Sequence, residues 1–288
     1  MKVAHRPEEL RDAERAIALG TFDGVHLGHH CVLDAAKAAG LTTTVVTFWP
    51  HPRTVLGNRV ELLTTLERRL ELLAEAGMDE ALVVEFTGDL ARLDPREFAD
   101  SLLRRIGARV VAVGENFRFG HAAAGTPALL AELGFDLRAV PLVESVSSTR
   151  IRQLLRAGEV EGAAKLLGRP AEVEGVVVLG DQRGGTLGYP TANLDTPADL
   201  LVPAYGIYAG FALGHRAAVS IGVNPHYGGS ERRVEQYLLD FEGDLYGKRL
   251  VVELWRRLRD ERAFESEEDL VRQIAADVEA TRLAERPV

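Results

Sequence analysis

A length of 288 residues and a hydrophobic content of 46% allow one or two globular domains with a sizeable core. No apolar run approaches the roughly 18 residues of a membrane span, and the charged start MKVAHRPEELRDAER lacks the apolar segment of a secretory signal. A formal net charge of −9 argues against sequence-independent nucleic-acid binding, which needs a basic face to displace counterions. It leaves room for an anionic small substrate held by local arginines and a helix N-terminus. The single cysteine, Cys31, excludes an intrachain disulfide and a cysteine-rich zinc site, so a reducing cytoplasm is expected.

Along the chain, apolar β-type runs at 16–22, 42–48, 80–86, 108–114 and 135–143 alternate with helical patterns near 28–39, 64–77, 95–106 and 126–133. Such alternation predicts a parallel sheet with helices on both faces. Sheets of that kind bind ligands at the carboxyl ends of their strands, near a switch in strand order. One capped helix is predicted over 147–170. Beyond it the texture changes: strands at 172–182, 206–213, 216–223, 232–241 and 248–258 are separated by Gly-, Pro- and Asp-rich turns, and a helix closes the chain at 266–284. This second part is expected to be a small closed β-barrel with a terminal helix. The domains are therefore placed at 1–168 and 169–288.

The stretch T-F-D-G-V-H-L-G-H-H (21–30) follows the first strand and opens the first helix. Gly24 permits a tight turn, and Gly28 lets a ligand approach the backbone. His26 and His29 flank Gly28, where helical N–H groups offer a partial positive charge to an anion. A zinc site would need a further ligand at suitable spacing. The phosphate reading uses glycines and histidines together and is preferred, with His30 incidental. In S-S-T-R-I-R (147–152) the hydroxyls can cap the following helix. Arg150 and Arg152 lie two apart, so they cannot share a helix face and only one is expected to reach a phosphate.

In the second half, G-G-T-L-G-Y-P-T-A-N (184–193) is either a glycine-rich phosphate loop or a turn stabilised by Asn and Gly. In R-R-V-E-Q-Y-L-L-D-F (232–241), strand alternation puts Glu235 with Tyr237, Leu239 and Phe241 on an apolar, core-side face, and Arg232, Gln236 and Asp240 on the other. A carboxylate on a core-side face is costly unless paired with a neighbouring arginine or functional.

H-L-G-H together with S-S-T-R-I-R resembles the nucleotidyltransferases that move an adenylyl or cytidylyl group. T-F-x-P-H-P (47–52) and V-G-E-N-F-R-F-G (113–120) narrow the resemblance to the prokaryotic bifunctional riboflavin kinase/FAD synthetase family, and the second half extends it over the whole chain. It implies a Rossmann-like nucleotidyltransferase domain followed by a riboflavin-kinase barrel. It also implies ATP as co-substrate, Mg2+, and riboflavin, FMN and FAD as substrates and products. Small molecules would be the only partners, with no nucleic acid or membrane, and the chain a monomer or weak homo-oligomer.

By this resemblance His26, His29 and Arg152 act on the ATP phosphates within the turn that contains Gly20, Phe22, Gly24 and Gly28. Asn116, Ser148, Thr149 and Arg150 complete the nucleotide site, and Phe48 reaches toward the isoalloxazine. In the barrel, Gly184 and Gly188 pass near phosphate, Thr191 and Asn193 hold Mg2+, and Glu235 is the base that phosphoryl transfer to a hydroxyl calls for. Tyr208 is expected in the barrel core.

Some positions depart from the family pattern. Trp49 stands at a usual Asp, Tyr189 at a Phe, and Asn224-Pro225-His226 at an N-P-T, while the loop after Asp181 is one residue shorter. These departures keep two narrower readings open. One is a single active module or altered flavin or nucleotide specificity; the other is a non-catalytic flavin-binding protein on the same scaffold.

Overall fold

The computed structural model describes residues 1–179, 189–223 and 232–288. Gly184, Gly188, the shortened loop and His226 lie outside the described residues. Contacts divide the chain into two compact units, Met1–Ser148 and Thr149–Val288.

The first unit is a six-stranded parallel sheet. Its strands are β1 (Lys2–Ala4), β2 (Arg15–Leu19), β3 (Thr42–Trp49), β4 (Glu80–Glu85), β5 (Ala108–Gly114) and β6 (Asp136–Val140). They run in the order β1-β4-β3-β2-β5-β6. The helices are α1 (Leu27–Lys37), α2 (Pro52–Val55), α3 (Leu66–Glu75), α4 (Gly88–Arg92), α5 (Pro95–Phe98) and α6 (Pro127–Glu132). A π-helical turn over Ala99–Arg104 continues α5.

Alternate residues of the central strands feed two cores. Ala16, Ala18, Val45 and Ala112 pack with Val32, Leu33 and Leu73, which come from α1 and α3. Ile17, Leu19, Val46 and Val111 pack with Phe98, Leu103 and Leu130 on the opposite face. Both faces are therefore covered, as the near-continuous apolar runs require. Strand order reverses between β2 and β5, so the carboxyl ends of those two strands flank the switch point.

The single helix expected over 147–170 is two, α7 (Ser148–Arg156) and α8 (Val160–Leu167). The break falls at Gly158, whose φ is +78° and whose missing Cβ leaves room for the Arg257 side chain at 2.9 Å. The division by contacts groups both helices with the barrel, whereas the boundary expected from sequence lay at 168. Within that unit the Leu155 carbonyl accepts a hydrogen bond from Ala204 N at 3.1 Å.

The barrel comprises β7 (Ala171–Val178), β8 (Ala192–Asp195), β9 (Gly206–Ala212), β10 (His215–Val223), β11 (Arg232–Leu238) and β12 (Arg249–Arg259). It closes in the order β10-β11-β8-β7-β12-β9, every pair antiparallel. The terminal helix α9 (Glu267–Leu283) is capped by the Ser266 hydroxyl, which accepts from Asp269 N. Tyr208 is fully buried, as expected, and donates its hydroxyl to the Ala204 carbonyl at 2.6 Å; burial raises its phenol above the ordinary value.

The face assignment in β11 is the reverse of the sequence expectation. Val234, Gln236 and Leu238 are buried, while Glu235 and Tyr237 are half-buried on the other face. Leu239 and Phe241, which had made the Glu235 face look apolar, lie beyond the strand's end at Leu238, where the two-residue alternation no longer applies.

Candidate active sites

In the α/β unit β2 ends at Leu19, and the chain winds through a turn before α1. Phe22, Gly24 and Val25 there have φ of 52°, 86° and 38°. A β-branched residue at positive φ is strained and persists only where its surroundings hold it. Asp23 supplies that hold. Its carboxylate is 1% exposed and accepts from Leu63 N at 3.0 and 3.2 Å and from Thr64 N at 3.2 Å. Gly24 N donates to the Thr64 hydroxyl at 3.2 Å, and a Cβ at Gly24 would sit 2.7 Å from Leu63 Cδ1. Arg69, fully buried on α3, places Nη2 3.6 Å from Asp23 Oδ1 and its guanidinium 5.7 Å from the centre of the Trp49 ring.

His26 is the N-cap of α1. Its Nδ1 accepts from His29 N, and His29 Nδ1 accepts from His26 N, each at 3.3 Å. This is a capping box built from two imidazoles. The rings stack with centroids 3.6 Å apart and 13° between planes, and Phe22 meets His29 edge-on at 5.2 Å. With Nδ1 accepting, a neutral ring carries its proton on Nε2, so Nε2–H is the group each histidine can donate to an anion. A Cβ at Gly28 would sit 3.2 Å from the His26 ring. Among the described residues no group of three or more His, Cys, Asp or Glu could hold a metal ion.

Asn116 is exposed just beyond β5, at the same switch point, in a turn closed by Phe117 N donating to the Gly114 carbonyl at 2.9 Å. The Ser148 hydroxyl donates to the Asp23 carbonyl at 3.1 Å, in the turn before α1. Phe48 is 6% exposed and packs against Phe86 at 5.8 Å, so its ring belongs to the core. On α7, Thr149 and Arg150 are exposed and Arg152 is buried, so the two arginines do occupy different faces.

In the barrel, Glu235 on β11 stands directly opposite Asn193 on β8. Directly opposed residues of antiparallel strands project to the same face. The Glu235 side chain is 33% exposed, with Arg233 Nη1 at 3.9 Å, so the ion pair weighed from sequence is present. Asn193 is buried and Thr191 half-buried. Tyr237, on the Glu235 face, meets Tyr189 edge-on at 5.4 Å. Glu235 and Asn193 thus share a face of the sheet with Tyr237, and Thr191 lies two residues before Asn193. Their hard oxygens suit Mg2+, which takes few protein ligands and fills its shell with phosphate and water.

Sequence reasoning missed a cavity of about 410 Å³ between the end of β12 and α9, lined by Arg262, Phe264, Glu265, Arg272 and Gln273 among others. Phe264 has the guanidinium groups of Arg262 and Arg259 at 4.9 and 5.8 Å from its ring centre. The available signal was one aromatic residue inside the charged stretch 260–269.

A parallel sheet with an anion-type turn at its switch point, joined to a closed antiparallel barrel with its own acid–oxygen cluster, defines a two-module transferase. A family model described as FAD synthetase matches residues 8–153, and one described as riboflavin kinase matches residues 167–284. Proteins described as bifunctional riboflavin kinase/FMN adenylyltransferase align along nearly the whole chain. The one from Listeria monocytogenes is 36% identical over 96% of each chain, and the one from Escherichia coli is 35% identical over 91% of this chain and 90% of its own. A solved structure from Streptococcus pneumoniae, described as a macrolide-efflux protein, superposes with a TM-score of 0.88 at 32% identity, covering 98% of this chain and 99% of its own. Among the described residues of this chain no helix is long and apolar enough to cross a membrane. The chain belongs to the bifunctional riboflavin kinase/FMN adenylyltransferase family.

Proposed function

We propose that the chain makes FMN and then FAD, with the kinase chemistry in 169–288 and the adenylyl transfer in 1–168. The observation that carries this reading is the succession, in one chain, of an FAD synthetase match and a riboflavin kinase match.

In the barrel, Glu235 takes the proton of the riboflavin 5′-hydroxyl as its oxygen attacks the γ-phosphorus of ATP and ADP leaves. Thr191 and Asn193 would hold Mg2+, which supplies charge neutralisation on the phosphates. The cavity beside Phe264 has the flat aromatic wall and guanidinium groups that a flavin ring system could use.

In the α/β unit a phosphate oxygen of FMN attacks the α-phosphorus of ATP, and the bond to pyrophosphate breaks. A phosphate monoester has its second pKa near 6, so the nucleophile is already an anion and no base is needed. What remains is positioning and charge stabilisation. The Nε2–H groups of His26 and His29, the start of α1 and one arginine of α7 are suited to that work. Gly20, Phe22 and Gly24 shape the turn, and Asn116, Ser148 and Thr149 complete the nucleotide site. The lone Cys31 suits a reducing cytoplasm, and the enzyme works on small molecules as a monomer or weak homo-oligomer.

Incubation with riboflavin, ATP and magnesium, followed by chromatography of the flavins, tests the reading. Riboflavin should pass to FMN and FMN to FAD. FMN without FAD would remove the adenylyltransferase assignment. Unchanged riboflavin, with added FMN still converted, would remove the kinase assignment.

A further inference from the structure

Arg69 belongs to none of the recognisable motifs, yet it is one of the largest fully buried side chains in the molecule. Desolvating a guanidinium is costly unless its neighbours compensate, so those neighbours are informative. One is Asp23, with Nη2 3.6 Å from Oδ1 and both side chains sealed from solvent, at 0% and 1% exposure. Another is Trp49, whose ring centre lies 5.7 Å from the guanidinium carbon, within the range of a cation–π contact.

These neighbours belong to different segments. Asp23 is inside the strained turn that delivers His26 and His29 to the switch point. Trp49 is the last residue of β3 and leads directly into Pro50-His51-Pro52 of the T-F-x-P-H-P pattern. The same two segments are tied once more by the Thr47 hydroxyl, which donates to the Thr21 carbonyl at 3.0 Å. Asp23 is gripped from α3 twice, by the backbone N–H groups of Leu63 and Thr64 just before the helix and by Arg69 within it. Where the family pattern has an acidic residue at 49, this chain has an indole. Arg69 therefore meets a carboxylate from one segment and an aromatic ring from the other.

We propose that Arg69 is a positioning residue for adenylyl transfer: through Asp23 it sets where the His26–His29 pair stands, and through Trp49 it holds the end of β3 in register with that turn. This rests on the reading of the α/β unit as the adenylyltransferase. Arg69 touches no reacting atom in this scheme; it fixes the distance between the end of β3 and the turn that carries the two histidines. Arginine suits the task because one planar group can pair with a carboxylate at its edge and lie against an aromatic face. Lysine can keep the first contact but not the planar second.

The test compares Arg69→Met and Arg69→Lys with the unmodified full-length protein. Steady-state FMN-to-FAD and riboflavin-to-FMN kinetics are measured, together with thermal unfolding. The kinase reaction serves as an internal control on the same chain. A misplacement of about 1 Å can cost about 100-fold in rate, so Arg69→Met should lose about that much kcat for FAD formation, with a smaller change in KM for ATP. Arg69→Lys should recover part of the loss, and both variants should phosphorylate riboflavin normally. If Arg69→Met fails to fold, Arg69→Lys decides alone: a reduced kcat at unchanged melting temperature supports positioning.

Unchanged kcat for FAD formation in the folded variants would overturn the proposal. So would a loss that merely tracks a falling melting temperature, since that is what a purely structural ion pair produces. Combining Arg69→Lys with Trp49→Leu adds a coupling test. Losses that fail to multiply support a shared contact, and losses that multiply cleanly overturn the Trp49 arm. Failure of the underlying reading looks different, because the unmodified protein would then make no FAD at all.

Discussion

In the α/β unit the two residues that face each other, His26 and His29, are three apart in the chain and meet because a helix begins there. In the barrel, Asn193 and Glu235 meet only because β8 and β11 pair in one register. The first arrangement is local and survives as long as the turn before α1 keeps its shape. The second is non-local, and a slip of one residue in the ladder would turn Glu235 to the opposite face. Motif reading is suited to the first kind of site. It is poorly suited to the second, where spacing in sequence says nothing about distance in space.

The largest expected effects test whether the two sites are independent. Glu235→Gln keeps shape and removes the proposed base, so riboflavin phosphorylation should fall by about 10²- to 10⁴-fold, with FMN-to-FAD conversion intact. His29→Ala removes a proposed phosphate donor and half of the reciprocal cap, so FAD formation should fall by about 10²- to 10³-fold, with phosphorylation intact. Separate kinetics of the two steps in each variant check this. Equal loss of both steps from either change would break the division of labour.

Legibility follows the same contrast. The central strands β2, β3 and β5 were readable because a strand buried on both faces is a continuous apolar run, and α1 and α3 because one face of each repeats at helical spacing. β1 was missed: it is three residues long, at the sheet edge, within a charged segment. β8 was missed because A-N-L-D carries no strand-forming pattern, and its strand character comes from pairing with β7 and β11. The break at Gly158 was signalled by the glycine itself, inside an otherwise helical pattern. Among site residues, the histidines and Glu235 were legible as chemistry. Arg69 was not, because an arginine on an amphipathic helix looks like solvent-facing charge until the fold closes over it. The inverted faces of β11 arose from reading three residues past the strand's end.

A smaller effect sharpens that last point. If Gln236 faces the barrel interior, its amide is fully buried with no hydrogen-bond partner among the described residues. Such a group costs about 1–3 kcal/mol, whereas an apolar side chain of similar size does not. Gln236→Leu should therefore stabilise the barrel by about 1 kcal/mol, read as a higher unfolding temperature, and leave riboflavin phosphorylation unchanged. Destabilisation would mean that the amide is satisfied and that the interior assignment needs revision.

The smallest effect contrasts one carboxylate from each unit. Asp79 accepts from the Thr43 backbone N–H at 2.9 Å and from the Thr43 hydroxyl at 2.8 Å, and these fixed donors lower its pKa below 3.8. Asp240 is lowered chiefly by its hydrogen bonds to Arg282, at 2.8 and 3.0 Å, on an exposed surface. For both, folding favours the ionised form. The stabilisation is complete above the unfolded value and is lost as the pH falls through the lower folded value, because the unfolded chain then binds protons first. Salt separates them. An exposed ion pair is screened, while a hydrogen bond from a backbone N–H in the fold is much less so. Carboxyl titration by NMR at low and high ionic strength should show Asp240 moving back toward 3.8 and Asp79 holding its depressed value. If both move together, the Thr43 contact between β3 and the turn before β4 contributes no more than a surface charge pair does.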